Sequence, residues 1–229
     1  NGTTCITDDA ADLFIPSGHS TGNVVVRATQ DGGFESVAVV EPVSCYVSST
    51  AVGDLDGDDL DEVVATGSCN AVPGGLPLVT YRHGPEEFSH DQYMYGELGP
   101  VFEGADVALV DVDGDDDLDV VTPTELGLYV IEGDGAGSLA DAPRLWPHTY
   151  APFVRRMLPL TRATDDAVMF VLAHGEGEGE AGLVEPDDAD GLSTTEIDLR
   201  GRVIGAADFD GDERPDIVVL LGEVNEGIL

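Results

Sequence analysis

The chain has 229 residues, 42% of them hydrophobic and 24% charged, and its 46 acidic residues stand against nine basic ones, all arginine, for a formal net charge of −37. Such a surface repels phosphate backbones and anionic headgroups, which disfavours nucleic-acid and membrane-surface partners, and no apolar run approaches the eighteen or so residues of a membrane span. No signal peptide is visible, and the start at Asn1 predicts a processed or trimmed piece of a longer product.

Taken in order, the chain repeats one plan. Residues 1–48 give an apolar run from Asp12 to Pro16, glycines at Gly18 and Gly22, a strand at Val24–Val26, a turn at Asp31–Phe34 and a second run from Val37 to Val40. Asp8 and Asp12 fall where an acidic loop would end, but Thr4, Cys5 and Ile6 occupy its opening positions, so the loop reads as decayed or truncated. Residues 49–100 contain the loop Asp54-Leu-Asp56-Gly-Asp58-Asp-Leu-Asp61-Glu62, then Val63-Val64, a strand at Leu78–Tyr81 and a turn at Gly84–Phe88. Residues 101–152 repeat this with Asp111-Val-Asp113-Gly-Asp115-Asp-Asp117-Leu-Asp119, then Val120-Val121, a Gly127 turn, a strand at Leu128–Ile131 and a glycine-rich turn from Gly133 to Leu139. Residues 153–202 keep the strands, at Met157–Leu160 and Ala167–Leu172, but their loop is about two residues short and retains only Asp165 and Asp166. Residues 203–229 restore the pattern with Asp208, Asp210, Gly211, Asp212 and Asp216, followed by Ile217-Val218-Val219.

Short Val- and Leu-rich runs bounded by Gly, Pro and Asp, with no long stretch at helical period, predict all-β structure. Several runs are apolar throughout, as strands buried on both faces are. Units of this size, each a small antiparallel sheet, fit a β-propeller or propeller segment of four to five blades in a single array over residues 1–229. In the loops, carboxylates at alternate positions around one glycine would repel one another unless a cation sat among them. A hard dication with oxygen ligands, Ca²⁺, suits such a site, and Mg²⁺ suits it less because it keeps several waters and a near-ideal octahedron.

The pattern Asp-x-Asp-Gly-Asp-x-x-x-Asp followed by apolar residues resembles the FG-GAP/VCBS repeat of integrin α-like propellers and many secreted bacterial proteins. The loops at Asp111 and Asp208 match at every acidic position, and that at Asp54 matches with Glu62 in the last place. The resemblance implies a calcium-binding propeller whose loops join the first two strands of each blade. It departs from the family in completeness, since the first unit lacks its opening strand and the last its outer ones. On this reading the metal ligands are Asp54, Asp56, Asp58 and Glu62 with the Leu60 carbonyl, Asp111, Asp113, Asp115 and Asp119 with the Asp117 carbonyl, and Asp208, Asp210, Asp212 and Asp216 with the Arg214 carbonyl, giving about three Ca²⁺ sites. Asp61 replaces Glu62 if that loop is one residue shorter. Every ligand is spent on the ion, so the metal role is structural.

Gly18-His19-Ser20-Thr21-Gly22 fits G-x-S-x-G, but a strand follows where a nucleophile elbow needs a helix. Gly177-Glu-Gly179-Glu-Ala-Gly182 fits G-x-G-x-x-G, yet no helix follows and Glu178 and Glu180 would repel a phosphate. The histidines, His19, His83, His90, His148 and His174, share no ligand spacing; Trp146 suits sugar stacking or, more often, packing between blades. Cys45 and Cys69 flank the first intact loop almost symmetrically, which predicts that they face each other across a hairpin as a disulfide and leaves Cys5 over. Arg155, Arg156 and Arg162 form the only basic cluster and mark the unit without an intact loop for a partner contact. The expected function is a non-enzymatic, secreted or cell-surface module for adhesion, recognition or assembly, with a protein or glycan partner or self-assembly through incomplete terminal blades. A carbohydrate-binding propeller, or the non-catalytic part of a secreted polysaccharide-active enzyme, is the alternative.

Overall fold

The computed structural model describes residues 13–15, 24–28, 34–38, 45–69, 76–83, 88–95, 106–124, 127–147, 154–161, 168–174, 181–187, 191–197, 202–207, 209 and 216–220. Among the described residues there is no helix, and every strand pairing is antiparallel. The first sheet comprises β1 (Leu13–Ile15), β2 (Val24–Ala28) and β3 (Phe34–Ala38). The second is a meander of β4 (Cys45–Gly53), β5 (Glu62–Cys69), β6 (Leu76–His83) and β7 (Phe88–Tyr95). The third repeats that order with β8 (Ala108–Val110), β9 (Asp119–Pro123), β10 (Gly127–Ile131) and β11 (Arg144–Pro147). The fourth does so with β12 (Val154–Thr161), β13 (Val168–His174), β14 (Ala181–Asp187) and β15 (Gly191–Ile197). A fifth sheet pairs β16 (Arg202–Ala207) with β17 (Asp216–Leu220). The expectation of all-β structure in small antiparallel sheets is met.

The valine doublets acquire a reason from the packing. Successive side chains of a strand point to opposite faces, and here both faces meet another sheet. Val120 packs with Val64 and Leu78 of the second sheet, while its neighbour Val121 packs with Met157 and Phe170 of the fourth. In β13, Phe170 and Leu172 face the third sheet, whereas Met169 and Val171 pack with Val203, Ile217 and Val219 of the fifth. Sheets two to five therefore stack in chain order, with buried apolar side chains on both faces of the third and fourth. Trp146 is buried in the same core, between the third and fourth sheets, with the Arg144 guanidinium 5.1 Å from its ring centroid.

One aspartate ties three sheets together. Asp106 accepts a hydrogen bond from Ser49 Oγ of β4 at 3.2 Å and from the Met157 amide of β12 at 3.0 Å, and its carbonyl accepts from Thr122 Oγ1 of β9 at 2.9 Å. A half-buried carboxylate is tolerated when its lone pairs are taken up in this way. The bonds hold β8 between β4 and β12, so the first strands of successive sheets are neighbours. In β4 and β5 the register sets Cys45 opposite Cys69, with an irregularity between Val47 and Ser49; Cys5 lies outside the described residues.

Candidate metal centre

The acidic loops join the first two strands of their sheets. Gly53 pairs with Glu62, Val110 with Asp119 and Ala207 with Asp216, so each loop leaves and re-enters the ladder at the same place. In the fourth sheet Thr161 pairs with Val168 instead, which closes a shorter connection.

The two fully described loops fold identically, bond for bond. Asp54 Oδ1 accepts from the amides of Gly57 and Asp58, and Oδ2 from Asp59. Asp111 Oδ1 accepts from Gly114 and Asp115, and Oδ2 from Asp116. Asp58 Oδ1 then accepts from Leu60 at 2.9 Å, as Asp115 Oδ1 does from Asp117 at 3.0 Å. This winding requires left-handed backbone at Gly57 (φ 72°) and Gly114 (φ 80°), which only glycine adopts without cost, and again at Asp59 (φ 65°) and Asp116 (φ 72°), where aspartate is among the few residues that tolerate it.

The winding brings Asp54, Asp56 and Asp58 together, and likewise Asp111, Asp113 and Asp115. In each triplet one oxygen per side chain lies within 4.8 Å of the others, so either triplet could hold a metal ion. Every donor is a carboxylate oxygen, with no thiolate or imidazole, which favours a hard cation. Asp56 Oδ1 is buried without a hydrogen-bond partner, and an unpaired buried carboxylate oxygen is costly unless a cation satisfies it.

The fourth acidic position behaves differently. Glu62 and Asp119 are buried at the start of their strands; Glu62 Oε2 accepts from the Leu55 amide at 2.8 Å, and Asp119 Oδ2 from the Val112 amide at 3.1 Å. Burial pushes the Glu62 carboxyl up to about 7, against the opposing pull of the Leu55 amide and with help from the charges of Asp56, Asp58 and Asp54. Burial likewise raises Asp119 to about 6, although the amides of Gly133 and Val112 work against it. Asp113 is raised by burial and by Asp115 and Asp111, and Asp117 by burial and by Asp115 and Asp134. Burial is the first cause of all four shifts and the neighbouring carboxylates add to it, a charge that a dication would offset.

In the fifth sheet Asp216 Oδ2 accepts from the Phe209 amide at 3.0 Å, the same seven-residue bond as in the other two loops. Asp208, Asp210, Asp212 and Arg214 lie outside the described residues, and so do His19 and His148 and all of the string from Gly18 to Gly22. Of the second glycine string only Ala181 and Gly182 are described, opening β14; Arg155 and Arg156 fall on β12, and Arg162 is outside the described residues. His83, His90 and His174 fall on β6, β7 and β13.

Sequence reasoning missed how the glycine-rich turn after β10 is used. Gly133 N donates to Asp119 Oδ1 at 3.0 Å, and Gly137 N donates to the carbonyl of Leu55 at 3.1 Å, so one turn grips both acidic loops. Arg82 of β6 donates to the Gly137 carbonyl and pairs with Asp91 at 3.4 Å. Asp134 shapes the turn by accepting from Ala136 and Ser138, and those amides, Ser138 first, hold its carboxyl below the usual range. The Gly-Asp-Gly-Ala-Gly-Ser string carried that signal as an Asx turn; nothing local marked Arg82.

No protein-family model matches the chain, and no curated protein matches it either.

Proposed function

We propose that the chain is a calcium-stabilised β-propeller, or a segment of one, that acts outside the cell as a non-catalytic adhesion, recognition or assembly module. The observation that carries this reading is the pair of identically wound carboxylate triplets, one of them with the buried, unpartnered Asp56 Oδ1. Oxygens held at 2.3–2.6 Å from Ca²⁺ lie at most about 5 Å apart, and the spread within each triplet agrees with that limit. The propeller is supported by four-stranded meanders in chain order, by burial on both sheet faces and by the succession of neighbouring first strands. An extracellular setting would supply the abundant Ca²⁺ that such loops need. Trp146, being buried, offers no surface for stacking on a sugar.

The test is titration of the chelator-stripped chain with Ca²⁺, read by calorimetry and by thermal melting. Binding to the folded state alone stabilises by about 2.7 kcal/mol per site at a hundredfold excess over Kd. Calcium should raise the melting temperature clearly, and replacing Asp111 and Asp113 by Asn should remove one site from the stoichiometry. No heat of binding together with an unchanged melt would refute the reading.

A further inference from the structure

The turn after β10 touches the two acidic loops at different points, and it is stiff enough to transmit between them. It is closed on itself by the bridge of Gly133 with Leu139 and by the Ala140 amide on the Glu132 carbonyl at 2.8 Å. Inside it, Asp134 Oδ1 accepts from Ala136 at 2.9 Å and from Ser138 at 2.8 Å. On one side Gly137 N donates to the carbonyl of Leu55, which stands between two members of the Asp54 triplet. On the other, Gly133 N donates to Asp119, whose second oxygen holds the amide of Val112, between two members of the Asp111 triplet. Packing repeats the arrangement. A Cβ at Gly135 would run into the carboxylate of Asp117, and one at Gly137 would lie 3.0 Å from the Cβ of Asp56 and against the Arg82 guanidinium, so only a turn bare at these places fits. Arg82 clamps it from β6 through the Gly137 carbonyl while pairing with Asp91.

We infer, resting on the calcium reading of the loops, that this turn couples the two sites, so that an ion in one loop raises the affinity of the other. In an empty loop the carboxylates repel one another and work against the winding, and the turn loses its seat on that side. An ion that winds either loop seats the turn, and the seated turn holds the other loop in the shape its own ion needs. The second ion then meets an ordering cost already met, which is positive cooperativity. The turn is the element with two states, seated and released, and both sites bias it. Linkage makes the effect mutual, the Asp54 loop helping the Asp111 loop by the factor it receives.

Titration of the chelator-stripped chain with Ca²⁺ tests it, followed by the amide magnetic resonances of Gly57 and Gly114, which donate to Asp54 and Asp111 and so report the two loops separately. Each chain is studied well below the melting temperature of its metal-free form. In the parent both amides should shift over one range of calcium, more steeply than a single-site curve. Replacing Asp111 and Asp113 by Asn should silence the Gly114 response and weaken the site seen by Gly57 about fivefold or more. Adding Asp134→Ala frees the amides of Ala136 and Ser138, and the penalty at Gly57 should fall below about twofold, the range of independent sites. Asp134→Asn removes the same charge but keeps the acceptor, and with it the penalty should persist. Independent single-site curves, or a Gly57 midpoint that ignores the Asn pair, overturn the coupling and leave the calcium reading standing. A penalty that survives Asp134→Ala would belong to charge or to global folding, and overturns the role of the turn as well. A response from neither amide overturns both.

Discussion

Among the described residues, Glu62 and Asp119 are buried carboxyls whose charge burial opposes. Glu62 rises from an ordinary 4.5 to about 7, and Asp119 from 3.8 to about 6. A carboxyl raised in the folded state stabilises the fold below its unfolded value, and that stability is lost as pH climbs through the folded value. The metal-free chain should therefore melt at progressively lower temperature between about pH 4 and pH 7. With Ca²⁺ present the same window should show a gain, since the cation binds the ionised forms. Glu62→Gln keeps an acceptor for the Leu55 amide and removes the titration, so the chelated variant should lose part of the slope. Equal slopes for the variant and the parent chain would show that Glu62 has no share in it. The clusters of Asp54, Asp56 and Asp58 and of Asp111, Asp113 and Asp115 were legible by number, because alternate carboxylates around a glycine have few other uses. Asp106 and Arg82 were not, because each acts across sheets and takes its meaning from partners 16 to 57 residues away.

At the scale of the strand, the doublets, the loop lengths and the opposition of Cys45 and Cys69 could be read in advance. Each follows from local geometry, either two-residue alternation or the symmetry of a hairpin. The irregularities at Val47/Ser49, Val154/Arg156 and Val203/Gly205 could not, since an offset in a ladder answers to the sheet packed behind it. Gly127 sits between these cases. It was expected as a turn, but it opens β10 opposite Pro147 at φ 153°, where a Cβ would run into the carbonyl of Trp146. Gly127→Ala should therefore separate β11 from β10 and loosen Trp146 from its core, at a cost of about 1–3 kcal/mol. Denaturant melts with tryptophan emission would report it, and a change below a few tenths of a kcal/mol would show that the β10–β11 edge yields freely.

The whole molecule has to remain folded at a net charge of −37, and what that charge does depends on where it sits. Three filled loops would bring the total only to −31, so on a count of charges alone the ions matter little. Distance changes the conclusion. The carboxylates of each triplet lie within 4.8 Å of one another, inside the Debye length of about 8 Å at physiological ionic strength, so salt at that level screens them less than it screens acids separated by more than that length. Monovalent salt should therefore do little more for the dispersed charge beyond about 0.15 M, while the loops begin to be relieved only as the Debye length falls toward about 3 Å near 1 M. The melting temperature of the chelated chain should keep rising with sodium chloride across that range, and that of the calcium-loaded chain should level off, its loops being neutralised by the ions they hold. Curves that run parallel would place the destabilising repulsion on the dispersed surface, and the loops would then be ordinary acidic turns, whatever their winding.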